Sequence, residues 1–200
     1  MAKDRDEERR RAIKKGEGHT LGLMHGIPIA VDEGIFQKGK LATMGCAHLI
    51  EDFIGNDAPV LMRYVQAGAI PLVRGNMSQG GMDLTGSNSI YGTCKNPINF
   101  QRTCGGSSGG NAGLVALKCV PFALASDKCL SLSYASTFCG IYSMKPTSSR
   151  YSTIEVTNSL SKFNEFDHIK PAAGPYGTSV NDLVMGTQIQ FDERAHYTDS

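Results

Sequence analysis

Two serines stand between two pairs of glycines in Cys104-Gly105-Gly106-Ser107-Ser108-Gly109-Gly110-Asn111. Glycine reaches backbone conformations closed to other residues and leaves main-chain N–H groups uncovered by a Cβ. Hydroxyls in such a loop are therefore placed to act on a ligand or to hold one. Three readings fit. A glycine-rich loop entering a helix offers N–H groups and the positive end of the dipole to a phosphate, which would make residues 105–110 the cradle of a nucleotide-binding module. The GK[ST] ending of a Walker loop and the G-x-G-x-x-G spacing are both missing. The second reading is a serine loop for acyl transfer, and the third is a turn whose serines cap the helix that follows.

Short motifs flank this loop on both sides. Before it come His25-Gly26-Ile27-Pro28, Asp57-Ala58, Ala67-Gly68-Ala69-Ile70, Asn88 with Tyr91-Gly92, and Asn96-Pro97. After it come Ser126-Asp127, Phe138-Cys139-Gly140, Lys145-Pro146-Thr147 and Gly174-Pro175. In order and spacing they resemble the amidase signature family, whose members include bacterial amidases, the glutaminyl-tRNA amidotransferase component that carries the amidase domain, and fatty acid amide hydrolase. The resemblance runs from about Asp4 to Leu183.

That resemblance implies a serine amidohydrolase cleaving carbon–nitrogen bonds of a small-molecule amide by a Ser–cis-Ser–Lys relay, without a cofactor or metal. Carried over by position, Ser107 is the bridging serine that follows a cis peptide, and Ser131 takes the place of the nucleophile. Lys128, Cys129, Leu130 and Ser131 fill the oxyanion-hole positions, with Asp127, Gly105, Gly106 and Ser108 in supporting ones. The family's lysine position holds Asp32. Family members are typically more than twice as long, so residues 1–200 read as a single, incomplete amidase domain, with 1–18 as an exposed N-terminal helix within it.

The substitutions bear directly on the chemistry. A solvated carboxylate titrating near 4 is a weak base toward an alcohol, although burial raises it. Aspartate is also shorter than lysine, so a relay through Asp32 would need a bridging water. Cys129 and Leu130 replace two glycines whose N–H groups belong to the oxyanion hole, Ser133 replaces an arginine facing Asp127, and Cys104 replaces a proline. Loss of a general base costs about 10²–10⁴ in rate, and a displaced oxyanion donor about 10²–10³ more. The expectation is an impaired amidase, with a non-catalytic paralogue acting as a binding or regulatory partner as the alternative. Asp32 and Glu33 do not read as a metal pair, because neighbours on a strand point opposite ways.

The elements that must carry these residues follow from periodicity. Mixed charges over Asp4 to Lys15 make an exposed helix ended by Gly16 and Gly18. Ile27 to Val31 reads as a strand. Asp57 is expected to cap a helix with Pro59 near its start, burying Val60, Leu61, Tyr64 and Val65 until Gly68. A strand over Ala69 to Val73, a helix over Asn111 to Lys118 and a strand over Val120 to Ala125 follow. A last helix over Val180 to Phe191 is expected to turn Leu183, Val184 and Ile189 inward. Strands alternating with helices imply an α/β fold, a mixed β-sheet core flanked by helices on both faces. Tyr91-Gly92 and Asn96-Pro97 read as turns, and Met77 and Met82 as core filler.

Composition narrows the class. With 40% apolar residues, 20% charged residues and a net charge of +1, there is no electrostatic case for nucleic acid. No apolar run reaches the length of a membrane span, and the charged N-terminus lacks a secretory h-region. The six cysteines form no CxxC pair, which reads as reduced thiols in a cytoplasmic protein. A partial sheet would also leave an unpaired edge, and self-association through it is expected.

Overall fold

A computed structural model describes residues 1–51, 54–148, 150–153, 156 and 170–191. Helix α1 (Ala2–Lys15) ends at Gly16, whose φ of 72° gives the left-handed cap. It is held to the body by Arg5, which donates to the Val65 carbonyl at 2.7 Å. Strand β1 (Pro28–Asp32), helix α2 (Pro59–Gln66) and strand β2 (Ile70–Gly75) follow, with β3 (Ser87–Asn88) and β4 (Gly92–Thr93) forming a small hairpin. Helix α3 (Gly109–Ala116), strand β5 (Phe122–Asp127), helix α4 (Ser131–Cys139), strands β6 (Tyr142–Ser143) and β7 (Ala172–Gly177) and helix α5 (Val180–Gln190) complete the described chain.

The main sheet runs β2-β1-β5-β7-β6. β1 is parallel to β2 and β5, whereas β7 is antiparallel to both β5 and β6, so the sheet is mixed. Side-chain alternation along the strands separates two cores. Ile29, Val31, Phe122 and Leu124 point toward α2 and α5, where they meet Leu61 and Tyr64. Ala30, Ala123 and Ala125 point the other way, toward Ala112 and Val115 of α3 and Leu132 and Ala135 of α4. Alanines on this second face let α3 lie close to the strands. A Cβ on Gly75 would stand 1.7 Å from Asn111 Oδ1.

Two expectations are corrected. The cap of α2 is Ala58, not Asp57, whose Oδ1 instead accepts the Lys38 N–H at 2.9 Å and ties down the preceding loop. On α5, Val184 faces outward and is 49% exposed; Met185 and Ile189 pack on the core with Gly186 and Gln190. Helix α3 starts at Gly109, two residues earlier than periodicity indicated, because the last two glycines of the loop form its first turn. Among the described residues no helix is long and apolar enough to cross a membrane.

Gly174 lies in β7, where an added Cβ would sit 2.0 Å from the Met144 carbonyl oxygen and 2.8 Å from Leu132 Cδ1. Backbone cannot yield to this as a flexible side chain would. We expect Gly174→Ala to destabilise the fold by about 2–3 kcal/mol, read as a lowered urea midpoint. An unchanged midpoint would mean that β7 is not seated where this packing puts it.

Candidate active site

Three chain segments converge at the ends of β1 and β5. Ser107 lies in the glycine loop ahead of α3, after a cis Gly106–Ser107 peptide bond. The loop is locked from outside: Ser107 O accepts the Ser78 N–H at 2.9 Å, and a Cβ on Gly106 would come within 2.5 Å of Ser78 Oγ and 2.7 Å of Asp83 O. Ser131 is the first residue of α4, reached from β5 by a three-residue turn. The buried Tyr176 hydroxyl of β7 donates to its carbonyl at 2.9 Å. The Ser107 and Ser131 hydroxyl oxygens meet at 2.5 Å, and both residues are 2% exposed.

Asp32, at the end of β1, is fully buried beside this pair. It does not touch either hydroxyl of the pair. Its Oδ1 accepts the Gly34 N–H and, at 3.1 Å, the Ser126 hydroxyl; its Oδ2 accepts the Ser108 hydroxyl and, at 3.4 Å, the Ser126 N–H. Burial raises the Asp32 carboxyl above the usual carboxylate range, against the pull of the Ser108, Gly34 and Ser126 donors and of the Arg74 charge. Arg74 is a residue that sequence reasoning passed over. It donates to the Ile35 carbonyl at 2.8 Å and faces both Asp32 and Glu33. Glu33 points away, as strand geometry requires, and accepts the Thr43 hydroxyl at 2.7 Å and the Met44 N–H at 2.8 Å.

The turn from Asp127 to Ser131 keeps a glycine-like shape without glycine. Leu130 has φ 65° and ψ 13°, the left-handed region that costs an L-residue about 1–2 kcal/mol. Its side chain is 54% exposed, so little packing opposes the strain. Asp127 Oδ2 accepts the Leu132 N–H at 2.8 Å, while Oδ1 is buried without a hydrogen-bond partner. Ser133, exposed on α4, supplies nothing to it. Burial pushes the Asp127 carboxyl up, and the Leu132 N–H and the Lys145 charge oppose this.

The cleft above the serine pair is walled by Met44, Met77, Met82, Lys128 and Pro171, with Ser107, Ser126 and Ser131 at its base. Its volume of about 10 Å³ leaves room for roughly one water. Met77 and Met82 thus border the serines, and Met82 is half exposed rather than core. Lys128 is the one cation lining this cleft among the described residues. Cys129 is half-buried, and Cys104 is buried with its thiol donating to the Lys95 carbonyl at 3.1 Å. All six cysteines are free.

Two outcomes test this geometry. Because the folded carboxyl of Asp32 lies above its ordinary value of 3.8, folding favours its protonated form. Its contribution to stability is complete below that value and is lost as pH rises through the folded one. The unfolding free energy of the native chain minus that of Asp32→Asn should therefore fall between about pH 4 and pH 7, and a flat difference would remove burial as the dominant influence. Leu130→Gly relieves the left-handed strain but loosens the unfolded chain, for a net gain of up to about 1 kcal/mol. A lowered urea midpoint would show that the Leu130 side chain is held by more than its turn.

The family model described as Amidase matches residues 1–199. The chain is 36% identical over 177 residues to the amidase component of the glutamyl-tRNA(Gln) amidotransferase of Legionella pneumophila, covering 86% of this chain and 34% of that protein. Its fold superposes on a solved fatty acid amide hydrolase with a TM-score of 0.84 at 28% identity, over 96% of this chain and 33% of the other. The corresponding glutamyl-tRNA(Gln) amidotransferase structure from Thermotoga maritima gives 0.74 at 27% identity, over 84% and 36%. The chain thus spans about a third of the length of the curated relatives it matches. With the family match running from end to end, and the mixed sheet shared with solved members, the chain belongs to the amidase family.

Proposed function

We propose that this protein is a serine amidohydrolase by descent in which acyl transfer is strongly slowed, leaving a Ser107–Ser131 dyad without its base. One observation carries the reading. Ser107 is hydrogen-bonded through its hydroxyl to Ser131, and among the described residues no side-chain acceptor stands behind it. Asp32, at the position where the resemblance puts a lysine, directs both oxygens at Ser108, Ser126 and Gly34 instead.

In the proposed chemistry Ser131 would attack a small-molecule amide carbonyl, and its proton would pass to Ser107. Ser107 must then release its own proton. With no acceptor in reach, the serine alkoxide is not generated at neutral pH, and the general-base contribution of about 10²–10⁴ is forfeited. The N–H groups of Cys129, Leu130 and Ser131 would form the oxyanion site, with the left-handed Leu130 keeping the turn. Asp127, with one oxygen unpaired, leaves that turn less firmly braced than a second ion pair would. Such a protein fits a binding or regulatory role on the amidase scaffold better than a turnover role.

A second reading has one observation in its favour: Lys128 lines the same cleft and has no ion-pair partner among the described residues. In that reading its amine, when neutral, accepts the Ser107 proton from the opposite wall.

A fluorophosphonate probe followed by mass spectrometry separates the two. The expected result is substoichiometric labelling of Ser131 over hours at neutral pH. Stoichiometric labelling that is lost in Lys128→Gln would replace the impaired dyad with the Lys128 relay. Stoichiometric labelling that survives in Lys128→Gln would overturn both.

A further inference from the structure

One end of the main sheet is unfinished and apolar at the same time. β6 is its outermost strand on that side, two residues long, and its described ladder is to β7. Ser143 turns toward α4, where its hydroxyl meets that of Ser136 at 2.8 Å, so strand alternation sends Tyr142 to the α5 face. Tyr142 is 50% exposed. Beside it α5 presents Val180 and Val184, 59% and 49% exposed and one turn apart. With Leu183, Met144 and Phe191 they wall a groove of about 430 Å³ that carries no charged side chain.

Outward valines spaced by four on a helix that already has a buried face are not explained by this chain's own core. An open edge beside an apolar groove fits a strand added to β6 by main-chain hydrogen bonds, with alternate side chains entering the groove. The absence of charge in the lining excludes an acidic or basic partner segment. What occupies it is indicated by the relatives, of whose length this chain covers about a third. Phe191 itself lines the groove, so the segment that follows its equivalent in a longer relative sets out from this place.

We propose that the β6 edge and the α5 groove form a docking surface for the amidase segment that the relatives carry beyond the matched region, supplied as polypeptide that extends the sheet past β6. This inference rests on family membership and not on the state of the serine dyad.

The test is co-expression of the full 200-residue chain with the corresponding segment of the Legionella pneumophila relative as a separate polypeptide. A one-to-one complex is expected by size-exclusion chromatography with light scattering. Val184→Glu, on an exposed position, should weaken it about tenfold or more while leaving the thermal midpoint of the free chain unchanged. In a second arm the same segment is fused after Ser200, and hydrogen exchange of β6 and α5 should slow relative to the free chain. Unchanged exchange, an insoluble fusion, or a complex indifferent to Val184→Glu would overturn the proposal. A homodimer broken by Val184→Glu would overturn it in favour of a second copy. None of these readouts uses Ser131, so the catalytic reading stands or falls separately.

Discussion

The buried carboxylate of Asp32 is the point on which the site depends. Taking an unpaired carboxylate out of water costs several kcal/mol, and only well-placed donors can offset that. Here they come from three places: Gly34 just beyond β1, Ser126 on β5 and Ser108 in the glycine loop. Hydrogen bonds to a charged acceptor contribute about 1.5–3 kcal/mol each, and the Arg74 charge adds to them. The carboxylate therefore works as a clamp. Ser107 precedes one clamped residue, and Ser131 follows the end of the strand carrying another, so the contact between their hydroxyls inherits its geometry from Asp32.

Much of this was legible in the sequence because the signals are local. Charge mixing and Gly16 defined α1, β-branched runs marked β1, and four apolar positions marked the buried face of α2. The spacing between Ser107 and Ser131 placed both in one cleft through the resemblance, since two loops at the same end of neighbouring segments are brought together by the sheet. What could not be read depends on tertiary context. Helix α4, Ser131–Cys139, is rich in serine and carries no cap signal, because its start is fixed by the Asp127 carboxylate and the turn at Leu130. Strand β7 contains Gly174-Pro175, a pair that argues against an inner strand. It is accepted because the Pro175 carbonyl still takes the Met144 N–H and Gly174 lets that segment pass close by.

The inverted face of α5 has a related cause. Periodicity indicates that a helix has an apolar side but not which side the sheet will take. Gly186 settles it: a Cβ there would stand 2.7 Å from the Phe122 ring, so only this face can approach β5. The four-residue spacing of Val180 and Val184 was visible all along, yet with two apolar faces on one helix the sequence offers no way to rank them. Arg74 escaped notice for another reason. One basic residue in a strand carries no pattern, and its importance appears only when Asp32 and Glu33 are seen beside it.

The donor cradle around Asp32 also has a historical meaning. Every group that faces this side chain is an N–H or a hydroxyl in the donating role. An ammonium, which can only donate, would meet the fixed N–H groups of Gly34 and Ser126 head-on. If an ancestor had lysine here, the loss was followed by an environment now fitted to its opposite. Reversal at position 32 alone then meets a pocket that rejects the older residue, and the lineage is held in its present state by its own neighbours, as a ratchet holds a wheel.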